Sequence, residues 1–140
     1  MGTSVTSRPV SVDREHAWQT IVSWYGEPGA ADALLFEQQR TGLDVVLHLF
    51  LRYVEHEMKI VLTADERSDA QQAIAVWRDR VIVRVRELRR ELKTMPGLDA
   101  IDDSRNDWRE QLKAMEVKAE RVEFMSLCAW LDRLLESRST

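Results

Sequence analysis

Cysteine is nearly absent: the 140-residue chain carries one, Cys128. A disulfide framework within the chain is thereby excluded, and so is a zinc site built from four cysteines. That one thiol lies in an apolar stretch and reads as a small buried hydrophobe. Proline (three) and glycine (five) are sparse, so few positions force a helix to stop. No run approaches the roughly 20 apolar residues that a membrane span needs. The most apolar segment, Val45 to Val54, is interrupted by His48 and Arg52. The first dozen residues lack the apolar core of a secretory signal. Nor does one sign of charge dominate. The 20 Lys and Arg face 24 Asp and Glu, a net charge of -4, which disfavours a surface built for nucleic acid. These absences imply a cytoplasmic protein without membrane contact. Met1-Gly2-Thr3-Ser4-Val5-Thr6 fits the M-G-x-x-x-[ST] form of N-myristoylation, but the pattern is short and needs a eukaryotic transferase.

What the chain does contain is helical periodicity. Residues 1–12 are Ser/Thr/Val/Pro-rich and aperiodic and read as a disordered tail; residues 13–137 read as one helical domain. Asp13 caps a first helix whose Trp18, Ile21, Val22 and Tyr25 share a face. Gly26-Glu27-Pro28-Gly29 stops it, with glycine taking a left-handed C-terminal position. A second helix, 30–40, carries Leu34 and Leu35 and closes at Gly42. Asp44 caps the third, 45–60, whose apolar residues cover about two thirds of its circumference. A helix so apolar is surrounded by others, which makes it the centre of the fold.

Thr63-Ala64-Asp65-Glu66 is a capping box. It opens a long fourth helix with the core line Ile74, Trp77, Val81, Val85, Leu88 and Leu92, ended by Met95-Pro96-Gly97. The fifth helix, 104–136, carries Trp108, Leu112, Met115, Ala119 and Val122 in steps of four and three. Two long helices on a short loop make an antiparallel hairpin. The pattern predicts an all-α five-helix bundle with a central buried third helix and a long C-terminal helix hairpin.

Few residues suggest chemistry. His48, Arg52, Glu55, His56 and Lys59 form a narrow polar strip on the third helix. The two histidines are about 12 Å apart along it, too far for both to hold one ion; Glu55 and Lys59 suit an i,i+4 pair. With Gln38, His48 and Arg52 are candidate ligand contacts. Arg86, Arg89, Arg90 and Lys93 form a basic ridge, a candidate anion site that Glu110, Glu116, Glu120 and Glu123 of the fifth helix could neutralise. No aromatic interleaves with the ridge, as a single-strand binder would need. Ile82 and Val83 fall off the core line, so another helix covers them or they belong to a contact surface, for which Trp24 is a third candidate. Asp99, Asp102 and Asp103 precede a helix and suit capping. No phosphate loop, nucleophile elbow or metal motif is present, so no catalytic residue, cofactor or metal is assigned.

Trp18, Tyr25, Pro28-Gly29, Leu35, Gln38, Gly42, Asp44-Val45, Leu47, Leu49-Phe50, Trp77, Val81, Arg86, Arg89, Leu92 and Lys93, with Ala119-Glu120 further on, resemble a family of short uncharacterised helical proteins found mostly in proteobacteria. The family pattern has Asn where this chain has Val46, and Pro near Arg84. The first departure removes a polar partner that Gln38 would otherwise meet on the third helix. The resemblance implies a fold and a bacterial origin and brings no activity. The residues themselves favour a non-enzymatic module that binds a protein partner or homodimerises. The alternative is a bundle that binds a small molecule or anion.

Overall fold

The computed structural model describes residues 11–97 and 99–139. These residues form helices and turns with no strand among them. The elements are α1 (Arg14–Tyr25), α2 (Ala30–Thr41), α3 (Val45–His56), α4 (Ala64–Trp77), a π-helical turn (Arg78–Ile82), α5 (Val83–Thr94), a 3-10 turn (Asp99–Ile101) and α6 (Asp102–Ser139). Because α4, the π turn and α5 follow one another without a break in the chain, the helices number five among the described residues, as the periodicity predicts. The chain forms two compact units: one runs to Ala73 and resumes at Phe124, the other is Ile74–Glu123. The expected tail lies outside the described residues apart from Ser11 and Val12. Val12 is buried, and its N–H donates to Asp132 Oδ1 at 2.9 Å.

In the first unit the helix ends follow their local chemistry. Asp13 Oδ1 accepts from the His16 amide and Asp44 Oδ1 from the Leu47 amide, both at 3.1 Å, so each carboxylate satisfies an amide of the first turn. Thr63 and Glu66 exchange the two reciprocal bonds of a capping box. Glu66 also accepts from Arg138. The Thr63 amide first, then Arg138, holds its carboxyl below the usual range. The left-handed residue between α1 and α2 is Gly29 (φ 81°), which opens α2; Gly26, at the end of α1, stays right-handed. Gly42 (φ 75°) closes α2 as expected.

α3 is the apolar centre of this unit. Val45, Val46, Leu49, Phe50, Tyr53 and Val54 are all buried. Phe50 and Trp18 both meet the Phe124 ring edge-on, with centroids 6.0 and 5.1 Å apart, a geometry that adds to the area each ring buries. Leu127, Cys128 and Leu131 of α6 are also fully buried. α3 stops at His56, earlier than the periodicity suggests, and Lys59 takes a left-handed conformation (φ 58°). Lys59 therefore cannot pair with Glu55 at i,i+4, and Glu55 instead accepts from Arg67 of α4.

Phe124 has no exposed surface, so truncation leaves a cavity between two aromatic neighbours. Phe124→Ala should lower unfolding free energy by about 3–5 kcal/mol, measured as a reduced urea midpoint with unchanged far-UV circular dichroism before the transition.

Candidate functional site

The basic ridge lies in the second unit, and the π turn decides which of its members reach solvent. In a straight α-helix, about 100° per residue would put Trp77, Val81, Val85, Leu88 and Leu92 inside. The i→i+5 bonding of a π turn accommodates about one extra residue, so every later side chain is turned back by about 100°. Ile82 and Arg86 rotate inward, to 1% and 7% exposure, and Leu88 rotates out, to 41%. Ile82 is therefore a core residue. This corrects its reading as part of a contact surface, since no partner can reach it. Val83 is half-buried.

Arg86 and Arg89 are likewise not available to an outside anion. Arg86 Nε donates to Glu116 Oε2 at 2.9 Å and Arg89 Nε to Glu116 Oε1 at 3.0 Å. A second Arg86 nitrogen stands 3.6 Å from Glu120 Oε2. One carboxylate, 8% exposed, thus sits between two guanidinium groups. Arg90 and Lys93 remain exposed. Nearby, Trp77 Nε1 donates to the Ala119 carbonyl at 2.9 Å, which adds a polar tie between the two arms of the hairpin. Removing one partner of a buried pair strands the other's charge, whereas replacing both with apolar groups is often neutral. Glu116→Ala should cost about 3–5 kcal/mol in urea denaturation, and replacing the whole triad, Arg86→Met and Arg89→Met with Glu116→Leu, should recover most of it.

The third-helix strip lies in the first unit. His48, Arg52 and His56 are exposed, so the strip faces water and does not line a closed cavity. Arg52 lies over the Trp24 ring, 4.7 Å from its centre. Trp24, half-buried, packs tilted against Tyr53 with centroids 6.4 Å apart. Periodicity did not flag the neighbouring bond from Tyr53 Oη to His16 Nδ1, 2.8 Å long. Burial first, then the charges of Asp13 and Glu57, raises the Tyr53 phenol above its ordinary value. Gln38 is half-buried on α2, and its carbonyl accepts from the Gly42 amide. No group of His, Cys, Asp or Glu suited to a metal ion occurs among the described residues, and no helix among them is long and apolar enough to cross a membrane.

Cys128 is fully buried. Desolvation, opposed by Arg14 and reinforced by Asp132, pushes its thiol up to about 12. The folded protein therefore binds this proton more tightly than the unfolded chain, where the thiol titrates near 9.0. The stability linked to it is intact below pH 9.0 and is lost as pH rises toward about 12. Cys128 should resist alkylation until the protein unfolds. Thermal melts should fall with pH above about 9 less steeply in Cys128→Ala than in the wild type.

The architecture defines an all-helical protein whose best-organised polar cluster is an internal ion-pair network. Residues 16–127 match the family described as Protein of unknown function (DUF2390), and the chain belongs to that family. No curated protein and no solved structure matches it.

Proposed function

We propose that this protein is a non-enzymatic helical module that acts by binding protein, either a second copy or a partner, in the cytoplasm. One observation carries the reading: large apolar side chains stand exposed in a repeating line on α6, at Trp108, Met115 and Val122. Isolated exposed apolar residues are ordinary, but large ones repeating along one helix face suit a contact surface. The polar groups point the same way. Arg86 and Arg89 are neutralised internally by Glu116, and His16 is engaged by Tyr53. The water-facing strip of His48 and Arg52 offers no enclosed place where polar groups converge on a ligand, which weighs against the small-molecule alternative. One unpaired buried cysteine suits a reducing compartment.

The test is native mass spectrometry of the full chain purified from its own host. The expected result is a homo-oligomer or a stable protein complex without small adducts. A monomer bearing one reproducible small extra mass would overturn protein binding in favour of a ligand, and would direct attention to Gln38 and His48.

A further inference from the structure

The hairpin of α5 and α6 turns one side of a heptad pattern outward. On α6, Trp108, Met115 and Val122 recur every seven residues and are 61%, 55% and 45% exposed. Leu88 of α5 and Met95, the extended residue that caps its end, stand at the same interval, 41% and 37% exposed. Val81, one heptad earlier in the π turn, is half-buried. The bonds of Arg86 and Arg89 to Glu116 fix the antiparallel register of the two arms. In that register Leu88 is level with Met115, Met95 with Trp108, and Val81 with Val122. Positions seven apart drift by only about 20° around a helix. The three rungs therefore make one apolar strip about 20 Å long, on the side of the hairpin away from the buried charges.

The charges bordering the strip are sorted by sign along its length. Arg84 and Lys118, both exposed, flank the end marked by Val81 and Val122. Glu91 and Asp107, also exposed, flank the end marked by Met95 and Trp108, and Glu87 lies near the middle rung. The face is apolar along its centre, basic at one end and acidic at the other. Such a face is complementary to itself.

We propose that this face binds a second copy of the chain about a two-fold axis that passes through the Leu88–Met115 rung, perpendicular to the helices. The inference rests on the protein-binding reading above and names its partner. In this arrangement each α5 lies antiparallel on the α5 of the other copy, and each α6 on the other α6. The basic end of one strip then meets the acidic end of the other, with Arg84 close to Glu91 of the second copy. A two-fold axis parallel to the helices would instead stack basic on basic and acidic on acidic, so charge selects the orientation. A strip about 20 Å long and two helices wide offers on the order of 400 Å² per copy, about half of a standard interface. The association is therefore reversible and concentration-dependent.

The experiment is sedimentation of the full chain from about 1 μM to about 500 μM, combined with cysteine crosslinking. Met115 lies on the proposed axis, so Met115→Cys should form a disulfide with its own counterpart under mild oxidation. Trp108→Cys should crosslink to Val122→Cys in a mixture of the two variants, and not to itself. Glu91→Lys should weaken dimerisation at least fivefold, and adding Arg84→Glu in the same chain should restore it. Circular dichroism verifies that each variant keeps its helix content, and the crosslinks report geometry even if one charge variant unfolds. A chain that stays monomeric throughout, or a dimer in which Met115→Cys does not crosslink, overturns the proposal. If that monomer still emerges from its host in a stable complex with another protein, only the second copy is overturned and protein binding stands. If it carries only a small adduct, both fall.

Discussion

Glu116 is held by two guanidinium groups in a place with little access to water, and the geometry of the hairpin depends on that carboxylate. Apolar packing is non-directional. Two arms whose apolar residues recur every seven positions could slide past one another by a heptad and still match apolar residues. An ion pair with bonds of 2.9 and 3.0 Å cannot slide. After such a slip Arg86 and Glu116 would be separated and one charge stranded in the interior, at a cost of several kcal/mol. The pair thus fixes the register between the arms. The Trp77 indole bound to the Ala119 carbonyl reinforces it nearer the open end of the hairpin.

That pair is internal only because of the π turn. Without the extra residue, Arg86 would lie on the outer face of its helix and Leu88 would point inward. The turn exchanges them. Polar residues are thereby drawn between the arms and an apolar line is displaced to the outside. The first unit follows the ordinary order: the aromatic cluster of Trp18, Phe50 and Phe124 is inside, and the histidines and arginine of α3 are outside.

What the sequence made legible divides along the same line. Helix number, the caps at Asp13, Asp44 and Thr63, the closing Gly42 and the central place of α3 all follow from local rules: a side-chain oxygen answering an amide, a glycine tolerating positive φ, an apolar surface needing cover. Each depends on residues a few positions apart. The burial of Ile82 and Arg86 does not. It depends on a change in helical pitch at Arg78–Ile82, where neither proline nor glycine announces it. A uniform 100° per residue therefore assigns the wrong face to Ile82, Arg86 and Leu88. The one available signal was Ile82 itself, an apolar residue out of phase among arginines. The ridge of Arg86 and Arg89, read either as an anion site or as a face that Glu116 and Glu120 could neutralise, is half of an internal network. The early end of α3 at His56 was equally hidden, because Met58 continues the apolar pattern past the point where the backbone leaves the helix.

The arrangement of the hairpin is not the one that stability alone would favour. Replacing a buried ion pair with well-packed apolar side chains is commonly neutral or stabilising, and this chain already has the apolar residues for it in two matched heptad lines. It holds the charges inside and turns Leu88, Met95, Trp108 and Met115 toward water, where each forgoes much of the free energy that burial would supply. That deficit is recovered only when something covers the strip. A self-association that buries the strip makes the two features one device: the internal ion pair keeps the rungs in register, and the rungs in register are what a second copy can read.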